Sequence, residues 1–379
     1  MVCDRDCEIR QDDQENNKMK IFGMDTKKQL KWLVLIFVAA ALISGIFLLT
    51  SGLPRSIRNG EEWPPMRESS GNGITIDESW EYPAEEIDEV DIQLSFEDAV
   101  ISSISGDVVT VRYHGTVTTG RKAEDVFLSD LSDGRLTLES QWGIISAHNN
   151  RVTLELGIPS GILDKLTLEG SSGKYTVSGL NLDSLDISGS SGSITIHDIS
   201  AGSAGVKVSS GSITAEGWRI GSGEIKAVSG NLDLKSVTAE DTLDLNVSSG
   251  SIRGEDIGAS SITGRVVSGR IRLKGVSGNL NMKSSSGSID VEFRNPGDDI
   301  YLKASSGPLS VGFPRGTVFR LSAVVSSGNI RSDFAVTVTG SMSNKRLEGM
   351  AGNAGSGDSR SVELSSSSGN ITIKELGAE

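Results

Sequence analysis

The phrase Ser-Ser-Gly-Ser-Ile recurs along the chain, at Ser190–Ile194, Ser209–Ile213 and Ser248–Ile252, and its glycine sets a period. Equivalent glycines stand at Gly173, Gly192, Gly211, Gly230, Gly250, Gly269, Gly287, Gly307, Gly328 and Gly369, with spacings of 19, 19, 19, 20, 19, 18, 20, 21 and 41 residues. A sustained period of this length constrains the fold more than any local propensity. One such unit cannot bury its own apolar face and must stack on its neighbours.

Aligning the units on that glycine exposes apolar columns. Two residues after it stand Tyr175, Ile194, Ile213, Leu232, Ile252, Ile271, Ile289, Leu309, Ile330 and Ile371. Seven before it stand mostly apolar residues, among them Leu166, Leu185, Leu243, Ile262, Leu280, Ile300, Leu321 and Val362. Alternation on both sides of the glycine reads as two short strands joined at a tight corner, with serines bonding the local backbone. The prediction is an all-β fold: a parallel β-solenoid with about 19 residues per coil over 166–379, preceded by one transmembrane helix. Aromatics make up only 5% of the chain, so its core must come from Ile, Val and Leu, which suit a pleated surface. The long last step is read as two periods interrupted by a flexible glycine-rich insertion at 340–357.

Upstream, alternating runs such as Val90-Asp91-Ile92-Gln93-Leu94 and Val152-Thr153-Leu154-Glu155-Leu156 predict an N-terminal β-strand region over 86–165. Trp32 to Leu49 carries no charge, and Thr50 to Leu53 extends it to the roughly 20 residues that span a bilayer. Lys18, Lys20, Lys27, Lys28 and Lys31 precede it, so residues 32–53 are expected to be an uncleaved signal anchor. Residues 1–31 are then a cytoplasmic tail and 54–85 a linker tethering the body outside. The expected location is the cell membrane, single-pass, with the C-terminal domain extracellular or periplasmic.

The seven basic and seven acidic residues up to Leu53 cancel, so the remainder carries the whole net charge of −14. Such a surface disfavours nucleic acid. Cys3 and Cys7 both precede the apolar segment, so no thiol chemistry is available to the repeats. Phosphate loops, zinc-type histidine spacing and Ser-His-Asp contexts are missing from the sequence, and no cofactor, metal or catalytic residue is expected. His114, His148 and His197 each stand alone. Asp290 and Glu292 share an outward face about 7 Å apart, a separation that glycosidase carboxylates can use, although acids spaced by two are also the ordinary pattern of an acidic strand.

One outward column is basic. Four residues before the glycine come Lys207, Lys226, Asn246, Arg265, Lys283 and Lys303. Rungs about 4.8 Å apart can present these cations to a linear anionic polymer. The neighbouring column holds Asp186, Glu224 and Asp244, which can simply neutralise them.

Several features together resemble a bacterial family of adhesin-like β-strand-repeat domains of unknown function. They are the run Asp88–Leu94, Gly157-Ile158-Pro159-Ser160-Gly161 before the repeats, the recurring Ser-Ser-Gly-x-Ile, Phe313-Pro314-Arg315-Gly316, and the closing Ser367–Ile373. The resemblance spans about Ile87 to Leu376. It implies a membrane-tethered envelope protein, brings no catalytic residues, and links some relatives to envelope-stress regulation. The expectation is therefore a non-enzymatic interaction module that contacts a cell-wall polymer or envelope protein. A self-associating scaffold and a polysaccharide-active enzyme are the alternatives.

Overall fold

The structure is a computed structural model and describes residues 74–117, 126–142, 151–161, 163–352 and 360–377. The expected tail, the membrane segment 32–53, the linker before residue 74, both cysteines and His148 lie outside the described residues. Among the described residues no helix is long and apolar enough to cross a membrane.

Among the described residues the chain is all-β apart from a single 3-10 turn at Ala84–Glu86, and its 22 described strands form one hydrogen-bonded network. First come β1 (Ile74–Pro83), β2 (Glu89–Leu94), β3 (Asp98–Ile104), β4 (Val108–Val117), β5 (Phe127–Ser132), β6 (Arg135–Ser140) and β7 (Arg151–Pro159). Then follow β8 (Lys165–Ser178), β9 (Asn181–His197), β10 (Ser200–Ser229), β11 (Leu232–Ala239), β12 (Thr242–Ser249), β13 (Ile252–Ser268), β14 (Ile271–Ser286), β15 (Ile289–Ser306) and β16 (Leu309–Pro314). The chain closes with β17 (Phe319–Ser327), β18 (Ile330–Ser332), β19 (Val336–Ser343), β20 (Arg346–Ala351), β21 (Ser361–Ser368) and β22 (Ile371–Leu376).

Two parallel ladders build a solenoid-like stack. One carries Leu166↔Leu185↔Ala204, then Gly223↔Leu243↔Ile262↔Leu280↔Ile300. The other carries Tyr175↔Ile194↔Ile213↔Leu232↔Ile252↔Ile271↔Ile289↔Leu309. All the apolar members of both rows are buried, so alternate residues of each strand fill one continuous core while their neighbours face out. Between the ladders the recurring glycine makes the corner. Gly211 has φ +142°, and a Cβ there would lie 1.6 Å from the carbonyl oxygen of Gly192 one rung below. Only glycine satisfies both the backbone angle and that approach.

The stack starts earlier than expected. β2 pairs in parallel with β8 through Val90↔Leu166, and β3 does so through Ala99↔Tyr175, so the coil at 89–104 belongs to the stack rather than to a separate region ending at 165. Its corner is missed by a search on glycine because Glu97 occupies the glycine position. Beneath it, β6 and β7 continue in parallel, but β5, β4 and β1 add antiparallel strands and close that end.

The segment read as a linker up to residue 85 contains β1, paired with β4 from Ile74↔Val117 to Pro83↔Val108. Its alternation of Ile74, Ile76, Trp80 and Tyr82 is broken by Glu78, which hid it. Ile76 is buried and Trp80 packs on Phe127 at 5.6 Å.

The far end differs in order. β21 pairs in parallel with both β15 (Ile300↔Val362) and β17 (Leu321↔Val362), and β22 with both β16 and β18. The last coil in sequence therefore sits between two earlier ones. The expected flexible insertion is, through Ala351, the antiparallel hairpin β19–β20, and β20 also pairs antiparallel with β17. Gly349 there permits close strand approach, since a Cβ would lie 2.3 Å from the carbonyl oxygen of Thr337.

Candidate anion-binding face

Alternation decides which side chains of the first ladder point outward. Val206 and Val208 are buried while Lys207 is exposed between them, and the same holds for Arg265 between Gly264 and Val266. Parallel register then stacks the basic residues. Lys226 pairs with Asn246, Asn246 with Arg265, Arg265 with Lys283, and Lys283 with Lys303.

The stripe divides into two electrostatic halves. In the lower half Glu224 lies 3.4 Å from Lys207 and 2.5 Å from Lys226, bridging both. Hydrogen bonds from Lys226 and then Lys207 hold the Glu224 carboxyl below its ordinary value. In the upper half Arg265, Lys283 and Lys303 stack directly. The column beside them carries Thr263, Asn281 and Tyr301 in place of acids, with Asp244 one rung below Thr263 and Glu363 one rung above Tyr301. Lys283 Nζ sits 5.3 Å from the centre of the Tyr301 ring, a cation–π contact that leaves the charge exposed. Among the described residues these three cations form no ion pair.

Beyond the corner, the second ladder is largely self-neutralising. Glu216 accepts from Lys235 at 2.7 Å and lies 3.9 Å from His197, and Asp233 pairs with Arg253 at 3.3 Å. His197 is thus a solvated member of a charge ladder, and His114 sits 3.3 Å from Glu155. Asp290 is taken up by Arg272 at 3.5 Å, whereas Glu292 borders a separate dip with Lys274 and Arg294. The two carboxylates do not share a cleft. Among the described residues no group of three or more His, Cys, Asp or Glu side chains is placed to hold a metal ion.

One polar cluster escaped the sequence reading. Glu97, fully buried, accepts from Tyr113 Oη at 2.8 Å, Trp142 Nε1 at 2.6 Å, and the backbone N–H groups of Ser95 and Phe96 at 2.7 and 2.8 Å. Trp142 Nε1 also reaches Tyr113 Oη at 2.8 Å. Burial, and then the charge of Glu97, push both Tyr113 and Tyr175 above the ordinary tyrosine value. Every hydrogen-bonding oxygen of Glu97 is occupied from within, so the cluster pins the cap to the first coil and faces no solvent. Its signal was Ser95-Phe96-Glu97 standing where other coils have Ser-Ser-Gly.

A family model described as Toastrack DUF4097 matches residues 87–258 and 224–374. No curated protein matches the chain. Among solved structures, a putative cell adhesion protein from Clostridium sporogenes aligns at 12% identity over 80% of this chain and 100% of that one, with a TM-score of 0.21.

Proposed function

The chain belongs to the Toastrack DUF4097 family, a domain of unknown function, and from that premise we propose a membrane-anchored, non-enzymatic interaction module of the bacterial envelope. In this reading residues 32–53 anchor the chain, the tail at 1–31 is cytoplasmic, and a solenoid of about 19-residue coils projects outside. Partners 18 to 20 positions apart along most of the rungs from β8 to β16 support that coil length. A role in envelope-stress regulation, which the resemblance implies, is part of this proposal.

One observation carries the binding role: Arg265, Lys283 and Lys303 stack on successive rungs of an acidic protein without a carboxylate partner. A row of cations about 4.8 Å apart matches a linear anionic polymer of the envelope better than a globular ligand. Antiparallel strands cover β6 and β7 at one end of the stack and β17 at the other, which disfavours end-to-end self-assembly. The engagement of Asp290 by Arg272 disfavours the polysaccharide-active alternative.

The test is retention of the detergent-solubilised full chain on immobilised anionic wall polymer at low salt. Retention should fall as salt rises, and should be lost in the variant combining Arg265→Glu, Lys283→Glu and Lys303→Glu. Equal retention of that variant, once its melting profile matches wild type, would sink the reading.

A further inference from the structure

The coil around Gly269 reads Arg265-Val-Val-Ser-Gly-Arg270-Ile-Arg272-Leu-Lys274, carrying cations on both sides of the corner and no acid. Arg265 belongs to the stripe. Arg270 and Arg272 face the other side, across Ser268–Gly269, where the ladders are otherwise neutralised.

On that side the outward column three positions after the corner glycine runs Asp233, Arg253, Arg272, Asp290, with Arg253 and Arg272 direct rung partners. Like charges facing each other across a ladder destabilise it. The adjacent outward column, Glu216, Lys235, Glu255 and Lys274, alternates strictly. Asp233 holds Arg253 from outside at 3.3 Å and Asp290 holds Arg272 from the opposite side at 3.5 Å. The two guanidinium groups are thus fixed by their outer partners beside one another.

Arg270 completes the group. Its position, directly after the corner glycine, is small in the flanking coils, being Ser251 below and Ser288 above. Arg270 Nε donates to Ser288 Oγ at 3.1 Å, which orients the side chain, and among the described residues no carboxylate pairs with it. The three arginines and the two serines line a groove of about 350 Å³ floored by the backbone of Gly269 and Gly287.

We propose that this groove is a binding site for a phosphoryl group. Guanidinium forks approach an oxyanion in their own plane with paired N–H donors. A planar carboxylate is satisfied by one such fork, whereas a tetrahedral anion offers oxygens in several directions and can use three. Ser251 and Ser288 hydroxyls add neutral donors at the rim. The site lies across the corner from Arg265, Lys283 and Lys303, so its occupancy does not depend on the polymer reading of the stripe.

The test uses the full-length protein in detergent with inorganic phosphate, a glycerol phosphodiester, acetate and chloride as probes at matched ionic strength. Calorimetry should show saturable binding of a phosphoryl probe, and Arg270→Gln should weaken it by about tenfold or more through loss of charged donors. Among the described residues the Arg270 side chain has only Ser288 as a partner, so this variant keeps the fold. The tighter of inorganic phosphate and the diester identifies the source as a free anion or a polymer backbone. The stripe variant Lys283→Glu with Lys303→Glu should retain the binding, which separates this site from the stripe. Binding no tighter than acetate or chloride, or wild-type affinity in Arg270→Gln, overturns the proposal.

Discussion

Gly369 donates its backbone N–H to the carbonyl of Ser327 at 2.9 Å, and Gly307 donates to Ser368 at 2.7 Å, so the final coil lies between two coils that precede it in sequence. Among the described residues the strands β17 and β18 consequently join the parallel ladders of the stack only through β21 and β22. A chain ending at Ser332 should expose the edge of β15 and β16 and leave β17 without its parallel partner. Hydrogen exchange should show loss of protection at Leu321–Val325 in that truncation, together with weakened protection at Ile300–Ala304. Native-like protection of both segments would mean that the coils stack in sequence order.

Glycines at positive φ differ sharply in what surrounds them. At Gly250, φ is +141° and a Cβ would lie 1.7 Å from the carbonyl oxygen of Gly230, so a rung must move to admit alanine. At Gly106, φ is +127° but nothing lies within 4 Å. Gly106→Ala should cost about 1–2 kcal/mol from backbone strain alone, and Gly250→Ala more than about 3 kcal/mol. Urea titration of both variants checks the difference, and equal costs would remove the role assigned to rung contact.

Much of this architecture was legible because a solenoid writes its cross-section into the sequence. The apolar columns at Ile194, Ile213 and Ile252, and the outward stripe from Lys207 to Lys303, follow from period and alternation alone. What was hidden obeys other rules. Glu97 satisfies the first corner with hydrogen bonds where later coils use glycine, so the coil at 89–104 carried no periodic mark. The insertion of β21 between β15 and β17 depends on which edge the returning chain meets, and repeats of like sequence fit either edge. Gly349 looked like mobility but serves close strand contact. The arginine groove was missed because Arg253, Arg270 and Arg272 occupy two different columns, and only rung pairing brings them together.

The Glu97 cluster should be costly to break. Glu97→Ala leaves the Tyr113 hydroxyl and two backbone N–H groups without their acceptor in a dry site, and leaves Trp142 Nε1 with Tyr113 Oη alone. The expected loss is about 3–5 kcal/mol, with Glu97→Gln losing less because it keeps an acceptor oxygen. Trp142 fluorescence during denaturation reads the cap directly. A loss below 1 kcal/mol for the alanine variant, on the same scale, would mean that the cluster does not hold the cap.

Tyr175 gives the opposite expectation. It replaces isoleucine in its core column, and Gly170 makes room, since a Cβ there would lie 1.8 Å from the Tyr175 hydroxyl oxygen. That hydroxyl is buried and has no hydrogen-bond partner. Tyr175→Phe should therefore raise stability at neutral pH by about 1 kcal/mol. Burial, and then the carboxylates of Glu97 and Asp98, raise its folded-state titration above the ordinary value of 10.0. The sign follows: below pH 10 the contribution is complete, and above it the unfolded chain releases a proton that the folded chain retains, so stability falls. Melting between pH 8 and 11 should show a shallower alkaline decline in Tyr175→Phe, with Tyr113 sustaining the remainder.

Glu224 offers a gain-of-function test of the stripe. By bridging Lys207 and Lys226 it withdraws the lower half of the column from any anion, while Arg265, Lys283 and Lys303 remain available. Glu224→Gln removes the competing charge and keeps the side-chain shape, so all five cations of the stripe should then face solvent on one row. Retention on anionic polymer should strengthen, and its salt dependence should steepen because more charges contribute to the encounter. Acidification supplies an independent arm. Lys226 and Lys207 hold Glu224 below its ordinary 4.5, so the carboxylate stays charged and the bridge intact as pH falls through that value. At pH 5 the wild type should thus retain polymer no better than at pH 7 on account of Glu224, while Glu224→Gln should exceed it at both. Identical retention and salt slope for the two proteins would show that the lower half of the stripe takes no part in binding.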